Sequence, residues 1–264
     1  MEIHSLTTGT VQVKESFLHA RTGPLRQPMI FLPGPFSEPL PIHVWVIEHA
    51  GQRILVDTGE KTNASDAPFA KFAVAPGEEL PGALAGIGMT PTDMDTVVLT
   101  HLHADHMDGA VHLDGAPILV SDTELAYART AFSRFFQKVL RQPVPKGLNL
   151  VATALDGGPF GAFAASRRLT DDGRVVAVAT PGHTPGHISI VCVDDDGNHV
   201  LLAGDATDTL EQLHARRADA VAPKPKVHRE TLGRILAHGQ QHPTVYLPSH
   251  DPQSVARLAA GTTL

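Results

Sequence analysis

The pattern that most restricts how this chain can fold is a repeated one, a short β-rich run followed at once by a side chain able to bind a metal. Val97-Val98-Leu99 leads into His101-Leu-His103-Ala-Asp105-His106, and Val175-Val-Ala-Val-Ala179 leads through Thr180-Pro-Gly182 to His183. Val200-Leu-Leu-Ala203 leads through Gly204 to Asp205, and Thr244-Val-Tyr-Leu-Pro248 leads through Ser249 to His250. Runs of this kind read as buried strands, and the loops at strand ends are where functional side chains usually sit. Seven ligand-type residues delivered from four strand ends are expected if the sheet edges form one floor with a site above it.

A single histidine in such a loop is ordinarily a surface or packed core residue. Three imidazoles and a carboxylate within six positions are different, because uncompensated histidines gain nothing from crowding, whereas Zn²⁺ prefers neutral imidazole nitrogens and carboxylate oxygens. His101, His103, Asp105 and His106 are therefore read as metal ligands, joined by His183, Asp205 and His250. In the stretch Thr180-Pro-Gly-His183-Thr-Pro-Gly-His187 only one imidazole can easily face the metal. His183 comes straight off its strand, so His187 is expected to support the ligands or pack in the core. Of the 16 histidines, His4, His19, His43, His49, His112, His199, His214, His228, His238 and His242 lack such context and read as surface or incidental.

The 264 residues fit one large domain or two fused halves, and 42% hydrophobic residues can build a sizeable core. The formal net charge is −7 and no Lys/Arg block exceeds a pair, Arg167-Arg168 or Arg216-Arg217, so a nucleic-acid partner is not expected. The lone cysteine, Cys192, lies in the apolar run Ile188–Val193, which excludes an intrachain disulfide framework and a thiolate-rich metal site. No window approaches about 18 consecutive apolar residues, and the first residues carry neither a basic region nor a long apolar stretch. The expectation is a soluble, cytoplasmic protein without a membrane partner.

The amino-terminal part reads as strands joined by turns: Val11–Val13, Ile42–Ile47 and Arg53–Val56, the last leading to Asp57-Thr-Gly59. Between them, residues 22–41 hold six prolines and no periodicity, which suggests a substrate-lining loop with Phe31, Leu32 and Phe36 as candidates. From Ser121 one helix is expected, capped by Asp122, with Leu125, Ala128, Phe132, Phe135, Phe136 and Val139 on one face. That face reads either as ordinary core or, through Phe132 and Phe136, as the wall of a hydrophobic substrate channel. The single domain then divides into halves at about 1–120 and about 166–264, with a helical insertion at about 121–165. Later helices are expected near Glu230–His238 and after Asp251, with Asp251 as cap and Pro252 at the first position, while Asp194–Asn198 reads as a hairpin turn.

His-x-His-x-Asp-His after a strand, then Gly-His183, Gly-Asp205 and Ser-His250, with Asp57-Thr-Gly upstream, resembles the metallo-β-lactamase superfamily of metallohydrolases over nearly the whole chain. The resemblance implies an αββα sandwich of two similar halves with a dinuclear site at the sheet edges. It also implies a division of labour. His101, His103 and His183 would hold one metal, Asp105, His106 and His250 the other, Asp205 would bridge both, and Asp57 would stand behind the ligands.

The Thr-Pro-Gly-His-Thr-Pro-Gly-His stretch, Gly-Asp205-Ala and Ser-His250-Asp look most like the N-acyl homoserine lactonases that quench quorum sensing. That likeness implies lactone or ester hydrolysis by two Zn²⁺ (Mn, Fe or Co being accepted by the same donors), a small-molecule substrate and a possible homodimer. Two ions about 3.5–4 Å apart lower the pKa of a shared water toward about 7, and Asp205, with Asp105 beside it, is the carboxylate expected to take part in catalysis. Those lactonases carry a tyrosine three residues after the bridging aspartate. Here the place is Asp208 and the only tyrosines are Tyr127 and Tyr246, so another donor or a metal polarises the carbonyl, or the substrate differs. Glyoxalase II-type thioesterases share the ligands. Phosphotriester hydrolysis is a further alternative, and flavodiiron-type oxygen reductases place a glutamate where His103 stands.

Overall fold

The computed structural model describes residues 1–18, 26–140 and 142–264. His19, residues 22–25 of the proline-rich segment and Arg141 therefore lie outside the described residues. Two compact units are present, Met1–Thr153 and Ala154–Leu264.

In the first unit the described strands are β1 (Glu2–Val13), β2 (Leu40–His49), β3 (Gln52–Val56), β4 (Ala70–Ala73), β5 (Thr96–Val98), β6 (Ile118–Ser121) and β7 (Leu150–Thr153). They form one mixed sheet in the order β4-β1-β2-β3-β5-β6-β7. Ile42 to Ile47 are buried without a break, as expected for a strand paired on both edges and covered on both faces. From β3 onward the strands run parallel, Val56 opposite Val98 and Val98 opposite Leu119, so the carboxyl ends of β3 and β5 lie side by side. Val44, Val46, Leu55, Leu84, Leu99 and Met107 belong to the core of this unit.

The second unit holds β8 (Ser166–Arg168), β9 (Val175–Ala179), β10 (Ile188–Val193), β11 (His199–Gly204) and β12 (Thr244–Pro248), in the order β12-β11-β10-β9-β8. β10 is antiparallel to both β9 and β11, and β11 is parallel to β12. The strands β9, β11 and β12 therefore all point the same way. Their carboxyl ends share one edge, and those are the three ends that carry His183, Asp205 and His250. As expected, Asp194–Asn198 forms the hairpin turn, with the Asp194 carboxylate accepting from the Asn198 amide nitrogen at 2.8 Å, and Cys192 is buried.

Several expectations are corrected. The segment 22–41 is not wholly irregular, since Arg26–Phe31 is a helix with Ile30 buried. The single helix from Ser121 is two, Asp122–Ala128 and Ala131–Val139, because Thr130 caps the second by accepting from the Ser133 amide. The first is capped by Ser121 and not by Asp122. The aromatic residues of the second are not core, with Phe132 63% and Phe135 61% exposed. The last helix is Ser254–Ala260, so Asp251 caps only the turn before it, accepting from the Gln253 amide at 2.9 Å and pairing with Arg257.

The histidines read as surface also need correction: His43, His199, His228 and His238 are buried. His199 Nδ1 lies 2.8 Å from His238 Nε2, so one hydrogen joins the two rings, and His242 stacks on His199 at 4.3 Å. Burial, followed by the neighbouring imidazoles, lowers the pKa of both His199 and His238 to about 4. Because the unfolded chain binds these protons near pH 6.5, the folded state is favoured above about pH 6.5 and loses that advantage as pH falls toward 4. Urea unfolding between pH 7 and 4.5 is expected to show stability falling by about 2 kcal/mol per pH unit, about 1 from each imidazole, with a shallower slope in His238→Phe.

Candidate metal centre

The first unit builds its ligands on the buried carboxylate of Asp57. This residue follows β3 with a left-handed φ of 62°, and the φ of 75° at Gly59 completes the turn. Gly59 has no alternative, because a Cβ there would lie 2.0 Å from Thr8 Oγ1. Asp57 accepts from the Thr100 amide at 2.7 Å, from Thr100 Oγ1 at 2.9 Å and from His106 Nδ1 at 2.9 Å.

These bonds set the tautomers. An ionised carboxylate only accepts, so His106 Nδ1 carries hydrogen and its Nε2 presents a lone pair. Thr100 Oγ1 gives its hydrogen to Asp57, and His101 Nδ1, 3.0 Å from that hydroxyl, is therefore the donor to it. Nε2 of His101 is thus also left in ligand form. His101 lies 4.6 Å from His103 and 4.2 Å from His106, ring to ring, and Asp105 and His106 each offer a ligand atom within 4.8 Å of the other. His101 and His106 are buried, and His103 and Asp105 are half-buried.

In the second unit the parallel ends of β11 and β12 are tied by the Ser249 amide on the Gly204 carbonyl, 3.1 Å. This places Asp205 and His250 together. Asp205 Oδ2 is 3.4 Å from His183 Nε2, and Oδ1 is 3.4 Å from His250 Nε2. Each oxygen of one carboxylate thus faces a different imidazole. Two ligands each about 2.05 Å from a tetrahedral Zn²⁺ stand about 3.4 Å apart, so both spacings fit a shared ion.

His187 behaves as a support. The Asp205 amide can only donate, so His187 Nε2 accepts from it at 3.0 Å and Nδ1 holds the hydrogen. That hydrogen goes to Thr180 Oγ1, then Thr180 donates to Ser189, and Ser189 to the Ala203 carbonyl. A single direction of donation runs through the chain.

Two residues here escaped the sequence reading. Asp219 accepts a short hydrogen bond from His183 Nδ1. Burial draws the His183 pKa down, but Asp219 and then Asp205 and Asp208 outweigh it and raise the pKa to about 9. His228 accepts from the Asp219 amide at 3.1 Å and donates from Nε2 to the Ala206 carbonyl at 2.8 Å, joining the segment of Asp219 to the ligand loop after β11. Gly182 is required beside it, as a Cβ would meet the His228 ring at 2.5 Å. Neither residue follows a strand or lies near another ligand in sequence, so no local signal marks them.

At Asp208 the amide donates to Gln212 Oε1 at 2.8 Å and Gln212 Nε2 donates back to the carboxylate at 3.1 Å. Burial and then the charges of Asp219 and Asp205 raise its pKa to about 6. The Tyr246 hydroxyl is buried against Thr207 Oγ1 at 2.8 Å, and burial pushes its pKa up. Of the candidate lining residues, Phe31, Leu32 and Phe132 are exposed, while Phe36 and Phe136 are half-buried.

The sequence profile described as "Metallo-beta-lactamase superfamily" matches residues 37–250, which hold all seven candidate ligands. The chain belongs to the metallo-beta-lactamase superfamily. Among its superfamily relatives, the N-acyl homoserine lactonase AttM of Rhizobium radiobacter is 22% identical over 232 residues, 83% of this chain and 85% of that one. The N-acyl homoserine lactonase of Bacillus cereus is 26% identical over 184 residues, 66% of this chain and 67% of its own. In fold, the chain matches an N-acyl homoserine lactone hydrolase solved with N-hexanoyl-L-homoserine at its catalytic metal centre. The TM-score is 0.76 at 21% identity, covering 96% of this chain and 94% of that one. The dizinc quorum-quenching lactonase AidC matches with a TM-score of 0.69 at 17% identity, covering 95% and 87%. The metallo-beta-lactamase fold expected from the motifs is therefore the one observed.

Asp57→Asn keeps a residue that tolerates the left-handed turn but removes acceptor capacity from three buried donors. Unfolding free energy measured in urea is expected to fall by about 2–4 kcal/mol.

Proposed function

We propose that this protein is a dinuclear metal-dependent hydrolase that opens lactone rings, with an N-acyl homoserine lactone as the substrate class. The observation that carries the reading is the Asp205 carboxylate, one oxygen facing His183 and the other His250 at 3.4 Å, as a bridging ligand requires. In this reading His101, His103 and His183 would hold one ion, Asp105, His106 and His250 the other, and Asp205 both, and the imidazole and carboxylate chemistry of each unit's donors suits divalent ions. Family membership and the N-acyl homoserine lactonase relatives favour lactones among the esters.

When bound, two divalent ions, Zn²⁺ in this reading, activate a water near neutral pH and polarise an ester carbonyl. The chain's own residues do the rest. Asp57 and Thr100 hold His106 and His101 with Nε2 forward, and Asp219 does the same for His183. Asp205, held through its amide by His187, takes the proton from the attacking water and passes it to the departing ring oxygen. Asp105 serves as ligand and second carboxylate at the reacting centre. At the place of the tyrosine expected from the lactonase resemblance stands Asp208, which is clamped by Gln212 and offers no phenol hydroxyl to a substrate carbonyl.

Metal analysis is expected to find two divalent ions per chain, and a pH-drop screen over lactones, esters, thioesters and phosphotriesters to show lactones turned over fastest. Clear thioester turnover with no lactone opening would overturn the substrate. Asp205→Ala should lose at least one metal per chain and at least about 10³-fold in kcat/KM. Asp219→Ala should weaken metal affinity about 10–100-fold, read by competition with a chelator.

A further inference from the structure

The helix Ala131–Val139 is turned the opposite way from a core helix. Ser133 is buried, and Gln137 Nε2 donates to Ser133 Oγ at 3.1 Å and to the Ala128 carbonyl at 3.3 Å, so the polar side packs against the unit. The apolar side faces outward, with Phe132 63%, Phe135 61% and Val139 54% exposed. Phe136 ties the rings together, 4.8 Å from Phe132 and 5.6 Å from Phe135. At 3.6 residues per turn these four side chains fall within an arc of about 100°, a continuous ridge.

The charge along this stretch of chain has one sign. From Leu125 to Leu155 the sequence holds Arg129, Arg134, Lys138, Arg141 and Lys146 and no Asp or Glu, in a chain whose net charge is −7. Arg129, Arg134, Lys138 and Lys146 are exposed, and among the described residues none of these four is in an ion pair. Arg134 and Lys138 are one turn apart and flank the ridge on its Phe135 side, about 60–100° around the helix.

We propose that this face docks the protein on an anionic lipid surface, with the phenylalanines at the headgroup boundary and the cations on lipid phosphates. No described helix is long and apolar enough to cross a membrane, but a helix lying in the interface needs no span. Aromatic residues on one side with Lys and Arg alongside match such a surface in both polarity and charge. A second copy matches it less well. A two-fold contact with the two helices antiparallel sets Arg134 and Lys138 on the same side as those of the other copy, with no carboxylate in the stretch to pair with them.

The test is co-sedimentation of the purified full chain with phosphatidylcholine vesicles, with and without phosphatidylserine, at low and high salt. Binding is expected only with phosphatidylserine and should weaken with salt. It should fall at least about tenfold in Phe132→Ser/Phe135→Ser and in Arg134→Glu/Lys138→Glu, both melting with the parent. No binding to phosphatidylserine vesicles, or binding untouched by both variants, would overturn the proposal. A dimer in light scattering that Phe135→Ser dissociates, without vesicle binding, would overturn it too and assign the face to a second copy.

Discussion

The carboxylate of Asp57 is the constraint on which the first unit's ligand loops depend. It is almost wholly buried and accepts hydrogen bonds from three donors. Through it β3 is tied to the loop after β5, and the tautomers of two imidazoles are decided without either touching a metal. A loop rich in histidine is otherwise free to present the wrong nitrogen. The left-handed turn at Asp57 and the absent side chain at Gly59 are the local conditions that let the carboxylate reach under the loop.

The second unit reaches the same result by other partners. Asp219 takes the Nδ1 hydrogen of His183, His187 holds the Asp205 amide, and His228 joins the segment of Asp219 to the loop of Asp205. In each unit strand direction does the coarse placement and a buried polar network the fine placement. Parallel β3 and β5, and co-directional β9, β11 and β12, put all the ligand-bearing loops at carboxyl ends. The networks then orient His101, His106, His183 and His187, whose second ring nitrogens are each engaged by a defined partner.

The same sequence regularities that made the ligands legible also misled elsewhere. Phe132, Phe135 and Phe136 recur at helical spacing, and that spacing reports a face but not which way it turns. Ser133 and Gln137, with neighbours to bond, drew the helix inward by its polar side and left the aromatic side in solvent. His199, His228 and His238 looked incidental because nothing adjacent in sequence marks them. Their partners lie on other elements, 9 to 39 residues away.

By itself the sequence determined the strands that matter, the residues at their ends, the chemistry those residues share and the superfamily to which the motifs belong. Those properties are local, since β-branched runs, turn glycines and clustered imidazoles are written within a few positions of one another. Only the tertiary structure decided which nitrogen His101, His106 and His183 present, that Asp219 and His228 stand behind the ligands, that Asp208 is clamped by Gln212, and that an aromatic helix faces outward. Most of these depend on a partner distant in the chain, and even the Asp208–Gln212 clamp, four residues long, has its hydrogen-bond directions and burial only once the chain has folded around it.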